Sequence, residues 1–405
     1  MKRRPSLLWV NHFAIPTGEG GGTRHFEVGR ELVQRGWRVT IAASDFNLHT
    51  RRYSRRADAT CRDVIAEQVD GVDFRWLWAA PYQRNDWHRA ANWLSFAQSL
   101  LRWDPGSDCP DVVIGSSPHL FAALAAERLA ARWRVPFVLE VRDLWPESLL
   151  AAGGRKGPAY MALDRIAQYL YRRSRRIIVL ARGSGRHLAE RGIDERKISY
   201  VPNGVDADAF VRAPSPLRDD FTVVYAGAHG PANGLDIVLG AAALLREHGR
   251  IKFLLVGDGP EKIGLVEAAR ARGLENVEFR GLIPKTQMPA LLAEADTGLM
   301  VLKDSPLFAY GVSPNKLFDY LGASLPVVSN VPGEVAEMLQ ASAAGEQAEP
   351  GSARSLADAI LRTAGRAPAE RARMGERGRA WVSREHGRPV LAGRLDSTLR
   401  DLVPQ

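Results

Sequence analysis

The chain predicts an α/β protein made of two doubly wound, Rossmann-like domains. Three observations carry that prediction. Short apolar runs of strand length alternate with amphipathic stretches of helix length, the signature of parallel strands covered by helices on both faces. The pattern runs through once by about residue 200 and then starts again. At 405 residues the chain is long enough for two domains of ordinary size.

The elements follow in order. LLWVN (7–11), RVTIAAS (38–44), DVVIGS (111–116), PFVLEV (136–141) and RIIVLA (176–181) read as buried parallel strands. Amphipathic helices lie between them at 23–35, 118–133 and 158–174, and GVDFRWLW (71–78) reads as an extra strand near an edge. A linker falls near SYVPNGVDADAF (199–210). The second set of strands is FTVVYAG (221–227), IKFLLVGDG (251–259), NVEFRG (276–281), TGLMVL (297–302) and LPVVS (325–329). Its helices fall at about 234–248, 260–272, 286–294 and 314–321, and the chain beyond 352 reads as entirely helical. Two such sheets facing one another leave a cleft at the carboxyl ends of their strands, where folds of this class bind ligands.

Composition narrows the partners. A hydrophobic content of 45% and a charged content of 25% suit a soluble globular protein. No apolar run reaches the ~20 residues of a membrane span. SLLWV near the start is a short strand rather than a signal-peptide core, so the expected compartment is the cytoplasm. Cys61 and Cys109 stand at no metal spacing, which argues against disulfides and zinc alike. The formal net charge of +9 divides into +11 over residues 1–200 and −2 over 201–405. A basic half points to an anionic partner, nucleic acid or membrane, or is a solubility charge alone.

Several stretches have the makings of sites. In GVSPNKLFDYLGASLPVVS (311–329), Ser313 reads as a helix N-cap, Pro314 as the first helical residue and Gly322 as the stop. Lys316 then sits in the first turn, the wrong end of the dipole for a cation. Either it is a harmless surface lysine, or free N–H groups, dipole and lysine together bind a phosphate. PTGEGGGTRHF (16–26) places Gly18, Gly20, Gly21 and Gly22 before a helix that Thr23 is positioned to cap. It reads equally as a phosphate or sugar loop and as a flexible turn; it is not the spaced G-x-G-x-x-G fingerprint. VGDGP (256–260), with Gly259 and Pro260, repeats that position in the second half and reads equally as a ligand-free turn. LEVRDLWPES (139–148) sets Glu140, Arg142, Asp143 and Glu147 at the end of a central strand, facing the cleft or held as an Arg–Asp pair. Asn203-Gly204 in YVPNGVDADAF fits a hinge turn needing positive φ.

In this order and spacing these motifs resemble the retaining glycosyltransferases of GT-B fold, glycosyltransferase family 4, over nearly the whole chain. The motifs are the glycine loop, RDLWPES, VPNGVD, YAG, VGDGP and SPNKLFDYLGASLPVV. VRDLWPES and SPNKLFDYL are most similar to the branch that builds bacterial O-antigen and capsule, including N-acetyl-L-fucosamine transferases. The resemblance implies an acceptor-side domain over 1–203, a nucleotide-sugar domain over 204–387, and a C-terminal segment over 388–405 returning to the first domain. Val390, Leu391, Leu395 and Leu399 would supply the apolar face of that last helix. It further implies a UDP-sugar donor, no metal, and a polyprenyl-diphosphate-linked or saccharide acceptor.

The implied donor contacts are Gly21, Gly22, Asn203, Gly227, His229, Gly259, Pro260, Ser313, Asn315, Lys316, Leu317 and Asp319. Lys316 faces the diphosphate in that reading and Asp319 holds the ribose. The family's two glutamates, separated by seven intervening residues, become Gly311 and Asp319 here. Its usual Arg and Lys after YAG are replaced by Ala228, His229 and Asn233. His229 reads equally as a donor contact and as a cap for the next helix. Asp143 and Lys316 are the candidate catalytic residues: the cation stabilises the leaving diphosphate, the carboxylate orients sugar or acceptor, and the leaving phosphate takes the acceptor's proton.

A peripheral place on an anionic inner membrane face is expected from HTRRYSRR (49–56), with Arg51, Arg52, Arg55 and Arg56. PYQRNDWHRAANWLSF (81–96) adds Tyr82, Trp87, Trp93 and Phe96 at headgroup level. The same aromatics read alternatively as core or as the lining of a soluble acceptor site. Two rival functions stand beside the transferase: a nucleotide-sugar epimerase on the same fold, which needs no acceptor, and a nucleic-acid-binding module, for which no motif is present.

Overall fold

The computed structural model describes residues 3–18, 22–48, 50–84, 86–106, 108–151, 154–210, 219–305, 308 and 310–403. Gly20, Gly21 and His49, named above, lie outside the described residues. The chain forms two compact units. Met1–Leu180, Ser184–Val201 and Arg388–Gln405 make the first, and Ala181–Gly183 with Pro202–Gly387 make the second.

The strands of the first unit are β1 (Ser6–Val10), β2 (Arg38–Ser44), β3 (Phe46–Asn47), β4 (Arg52–Tyr53), β5 (Ile65–Val69), β6 (Val72–Leu77), β7 (Val112–Ser116), β8 (Phe137–Val141), β9 (Arg176–Val179) and β10 (Ile198–Tyr200). Eight of them form one sheet in the order β10-β9-β8-β7-β1-β2-β6-β5. Every pairing is parallel except β5 with β6. β1, β7 and β8 are buried along their whole length, as all-apolar strands covered on both faces must be. The helices are α1 (Arg24–Gln34), α2 (Trp87–Arg102), α3 (Leu120–Trp133), α4 (Glu147–Ala151), α5 (Pro158–Arg173) and α6 (Arg182–Glu190).

The second unit carries β11 (Phe221–Ala226), β12 (Ile251–Val256), β13 (Val277–Arg280), β14 (Thr297–Met300), β15 (Val327–Ser329) and β16 (Gly345–Gln347), all parallel, in the order β13-β12-β11-β14-β15-β16. Its helices are α7 (Leu235–Leu244), α8 (Lys262–Ala271), α9 (Met288–Ala293), α10 (Asn315–Gly322), α11 (Glu334–Ser342), α12 (Ala353–Gly365) and α13 (Pro368–His386). Alternate strand residues feed two cores. Val224 and Leu254 pack with Leu317, Phe318 and Val335 from α10 and α11. Val223 and Phe253 pack with Leu235, Val238, Leu356 and Ile360 from α7 and α12.

α14 (Arg388–Arg400) returns to the first unit, where Leu391, Leu395 and Leu399 join the core around Trp9 and Trp37. The Trp37 indole donates to Asp396 at 2.6 Å. Val390 is only partly buried; Ala392 takes the place expected of it.

Three local expectations are corrected and a fourth, the stop at Gly322, stands. Ser313 does not cap α10: Pro314 stands at the cap in an extended conformation, and the Ser313 hydroxyl accepts the Asn203 N–H instead. Gly322 is the last residue of α10, as expected, and the left-handed residue after it is Ser324; a Cβ on Gly322 would lie 3.0 Å from Val205. Gly204 is not a positive-φ turn. The chain there runs extended, with Val205 bridging Gly387 in parallel. Thr23 precedes α1 but makes no side-chain cap; its hydroxyl donates to Glu27 at 2.7 Å.

Candidate functional site

In the second unit the loops after β11 and β12 lock together at the carboxyl ends of their strands. The His229 N–H donates to the Asp258 carbonyl at 2.8 Å, and the Glu261 N–H to the His229 carbonyl at 3.0 Å. The fit demands glycine. A Cβ at Gly257 would sit 1.9 Å from the Gly227 oxygen, and one at Gly259 2.4 Å from the His229 oxygen, both at strongly positive φ. VGDGP is thus built for close approach of two backbones, with Pro260 leading toward α8.

Gly227 has a second consequence. A Cβ there would lie 3.0 Å from the Lys316 Nζ, so the absent side chain is what leaves room for the lysine. Lys316, in the first turn of α10, donates to the Tyr225 hydroxyl at 2.7 Å and to Asn233 Oδ1 at 3.2 Å. Its ammonium lies 4.0 Å from the Tyr225 ring centroid. The Tyr225 hydroxyl donates in turn to the Ala228 carbonyl at 2.8 Å. Neutral oxygens thus surround the lysine, and burial pulls its pKa down to about 7. The first turn of α10 has no side-chain cap, so its N–H groups add partial positive charge beside this ammonium. The surface-lysine reading fails.

The other expected donor residues divide. Asn315 is exposed at the helix start and Asp319 is partly exposed one turn on. Leu317 points into the core and can offer only backbone. Asn203 and Ser313 hold one another, the Asn203 side-chain amide donating to the Ser313 carbonyl. The His229 ring is fully buried against Tyr225 and Phe279, neither reaching solvent nor capping the next helix. Both readings of His229 are corrected: it is packing behind the loop, and burial with Lys262 nearby lowers its pKa.

Sequence reasoning missed Tyr225, Lys262 and Glu334. Lys262 donates to the Gly257 and Arg280 carbonyls at 2.8 and 2.9 Å, tying the glycine turn from behind. The Glu334 carboxylate sits 2.7 Å from where a Cβ on Gly311 would be, and accepts the Arg182 N–H at 2.8 Å. No local pattern marks these roles, because the contacts of Tyr225 with Lys316, of Lys262 with Arg280 and of Glu334 with Arg182 join residues remote in sequence.

In the first unit a recess of about 210 Å³ opens at the ends of β1, β2, β7 and β8, lined by Phe13, Gly22, Phe46, Pro118, Arg142 and Asp143 among others. Asp143 keeps solvent access. The protein mass around it pushes its carboxyl up from the ordinary range, against the pull of Arg142. No Arg142–Asp143 bridge holds the loop; Ser117 Oγ accepts both their backbone N–H groups, at 2.8 and 3.3 Å. Glu140 does not face a cleft either: it is fully buried between Arg24, His25 and Ser116. Glu147 is spent on His187 and Arg191.

The membrane residues are mostly committed elsewhere. Arg56 is buried against Asp45 at 2.8 Å, Arg55 pairs with Glu67 and stacks on Trp76, and Arg51 lies over Tyr82. Tyr82 and Phe96 are core, while Trp93 is half-buried and stacked on His119. Arg52 and Trp87 remain exposed, Trp87 at 70%. Among the described residues no helix is long and apolar enough to cross a membrane, and no three His, Cys, Asp or Glu side chains stand together as metal ligands.

Comparison with known proteins follows this geometry. Residues 19–204 match the glycosyl transferase 4-like domain, and residues 220–365 match glycosyl transferases group 1. The chain is 29% identical over 228 residues to a protein of Escherichia coli K12 assigned to colanic acid biosynthesis as glycosyl transferase WcaI, covering 52% of this chain and 55% of that one. It is 29% identical to the 2-deoxystreptamine glucosyltransferase of Streptomyces kanamyceticus, covering 54% and 64%. The alignments thus span 55 to 64% of the length of these relatives. Among solved structures, sucrose-phosphate synthase of Thermosynechococcus elongatus superposes with a TM-score of 0.78 at 16% identity, covering 98% of this chain and 99% of that one. HepE of Anabaena, in complex with UDP and glucose, gives 0.71 at 16% identity with the same coverage. At such identities the likeness speaks for the fold, which is GT-B.

Proposed function

We propose a donor, an acceptor side and a reaction course for a chain whose two halves belong to the glycosyltransferases, the first a glycosyl transferase 4-like domain and the second a group 1 domain. The enzyme moves a sugar, with retention at the anomeric carbon and without a metal, from a UDP-linked donor to a polyprenyl-diphosphate-linked or saccharide acceptor. The product belongs to bacterial surface polysaccharide of the O-antigen or capsule kind, the N-acetyl-L-fucosamine transferase branch being the nearest in motif. The working division is acceptor side 1–203, donor side 204–387, returning segment 388–405.

One observation carries the reading: among the described residues, Lys316 is held at an uncapped helix start by two neutral oxygens, its pKa drawn to about 7. A cation so placed is stabilised by an arriving anion. The leaving diphosphate would sit on the α10 N-terminus against Lys316, with Asp319 toward the ribose, and would take the acceptor's proton as the new bond forms. UDP in the HepE complexes supports the choice of nucleotide. The test is a screen of nucleotide sugars against lipid-linked monosaccharides, read by nucleotide release. Release that needs no acceptor, with an epimerised donor, would replace this reading by the epimerase.

Asp143 orients the acceptor in this scheme. Asp143→Asn is expected to lower transfer by about 100-fold while leaving nucleotide affinity within about twofold, because the diphosphate and ribose contacts proposed here, Lys316 and Asp319, lie on the other unit. Equal loss of nucleotide binding would move Asp143 out of the acceptor role.

Membrane attachment is proposed on reduced grounds, the exposed Trp87, Leu94 and Arg52 of the first unit. Binding to anionic vesicles should fall at least about fivefold in Trp87→Ser. Arg56 is unsuitable for such a test because it is a buried ion-pair partner. Sedimentation with neutral and anionic vesicles alike, or with neither at low salt, would end the idea.

A further inference from the structure

We infer that the inward face of α2 holds a binding site for the diphosphate of a lipid-linked acceptor, with Arg89 as its cation and His12, Tyr82 and Trp93 as its neutral donors. The inference rests on the acceptor-side reading of the first unit and selects the lipid-linked one of the acceptors proposed for it. Arg89, Asn92, Trp93, Phe96 and Leu100 recur at helical spacing along α2, and Asn92, Phe96 and Leu100 are buried. A cation at the head of such a face calls for an anion. Among the described residues no carboxylate stands within ion-pair distance of Arg89. The acid nearest in sequence, Asp86, accepts the His88 N–H at 2.9 Å and meets the His88 ring at 2.8 Å. The Arg89 guanidinium lies instead 5.1 Å from the centre of the Trp93 ring, which is itself stacked on His119 at 5.3 Å.

Four hydrogen-bond donors gather here without an acceptor. The Ala122 N–H donates to His119 Nδ1 at 3.3 Å, so His119 carries its proton on Nε2 and donates to His12 Nδ1 at 2.8 Å. His12 then carries its proton on Nε2, a buried atom with no partner. The Tyr82 hydroxyl, the Trp93 Nε1–H and the Arg89 Nε–H are buried and unpartnered as well. Against these donors stands one unpartnered acceptor on this face, Asn92 Oδ1. All of them feel the same guanidinium. Burial, then His119, then Arg89 lower the His12 pKa, and burial with Arg89 brings His119 down to about 3. Burial raises that of Tyr82 against the pull of Arg89 and Arg51. A buried donor left unsatisfied is costly, and so many in one place point to a ligand rich in acceptor oxygens.

A phosphate oxygen accepts from several such groups at once, and a guanidinium fits it. Arg51 lies 4.6 Å from the Tyr82 ring centre, so a second guanidinium attends the same residue. Paired cations match the charge of a diphosphate better than that of a single carboxylate. The place is right for an acceptor, because the site adjoins the recess at Asp143. Of the residues lining that recess, Phe13 stacks on His12 at 4.5 Å, Phe46 lies 5.3 Å from Tyr82 and Pro118 directly precedes His119. Trp87 and Leu94, exposed on the opposite face of α2, offer a prenyl chain apolar surface.

Titration calorimetry of the full-length chain with farnesyl diphosphate tests this, with farnesol, inorganic pyrophosphate and dihexanoylphosphatidylglycerol as comparison probes and excess UDP present. Farnesyl diphosphate should bind at least about tenfold more tightly than farnesol or the phosphatidylglycerol. Arg89→Gln should weaken it by about 30-fold and Arg89→Lys by less, and pyrophosphate should show the same dependence. Tyr82→Phe should weaken it by about fivefold while the melting temperature holds or rises, because the variant deletes an unpartnered buried hydroxyl. Binding unchanged in Arg89→Gln, or lost in Lys316→Met instead, would remove the diphosphate from α2. Phosphatidylglycerol bound as tightly, with the same loss in Arg89→Gln, would make this a headgroup site and overturn the acceptor assignment. Where a lipid-linked acceptor is turned over, Arg89→Gln should raise its KM about tenfold with donor KM within about twofold. An unchanged acceptor KM would refute the site. With no turnover at all the proposed function falls, while calorimetry still decides the diphosphate site, so the two readings fail separately.

Discussion

Replacing Lys316 with methionine is expected to abolish most turnover and, at the same time, to raise the melting temperature. If Lys316 holds the leaving diphosphate as proposed, removing its charge should cost roughly 2–4 kcal/mol of transition-state stabilisation, about 30- to 1000-fold in rate. The stability gain follows from the pKa. Burial takes the lysine from its ordinary 10.5 to about 7 in the folded chain. The fold is penalised wherever the unfolded lysine holds a proton that the folded one resists. That penalty is absent above pH 10.5, grows as pH falls toward 7 and is complete below 7. Lys316 keeps part of its solvent access, so the relief on removing the charge is about 1–3 kcal/mol. Methionine keeps the stem's packing. For a unit near 200 residues this corresponds to roughly 2–12 °C at neutral pH, fading by pH 10. Nucleotide affinity carries the same signature: it should weaken as pH rises above about 7, since the free lysine must regain its proton. Near-normal turnover would remove Lys316 from the reaction, and an unchanged melting temperature would deny that its charge is under strain.

The strands that position this lysine were legible because buried parallel strands are nearly all apolar, and FTVVYA and IKFLLV read so directly. What failed was polar or very short. β5 alternates half-buried and exposed positions, β16 is GEQ, and β3 and β4 are two residues each. α2 was hidden under its aromatic and basic content. Yet Asp86 caps it, and Asn92, Phe96 and Leu100 form its buried side. That periodicity is present in the sequence, interleaved with the aromatic and basic residues that also suggest a headgroup surface. The site was legible only where one motif held it. Lys316 could be found from its misplaced charge, whereas Tyr225 and Asn233, 91 and 83 residues away, are joined to it by the fold alone. The same holds for charges. A carboxylate at a strand end looks solvent-facing until its partners arrive, and those of Glu140 lie 116 and 115 residues back on α1.

Glu140→Gln is accordingly expected to destabilise the first unit by about 3–5 kcal/mol, because it leaves the Arg24 guanidinium buried without its carboxylate. Both partners feel the present arrangement. Although burial pushes the other way, His25 and Arg24 hold the Glu140 carboxyl far below the ordinary range. His25 stays neutral, pulled to about 4 by burial. The pH dependence distinguishes a structural carboxylate from a catalytic one. Glu140 contributes its stability fully above the unfolded carboxylate pKa of about 4.3 and loses it as pH falls further. His25 lowers wild-type stability from about pH 6.5 down to about 4, since only the unfolded chain takes its proton there. The deficit of Glu140→Gln should therefore be largest near pH 7, roughly 6–20 °C in melting temperature, and should narrow below pH 4.5 as the wild type loses the same charge. Thermal melts of both proteins between pH 3 and 8 measure it. A deficit under about 1 kcal/mol, or one that stays constant down to pH 3, would mean that the carboxylate is not what secures Arg24. A variant that keeps its melting temperature but loses transfer would return Glu140 to the reaction, in spite of its burial.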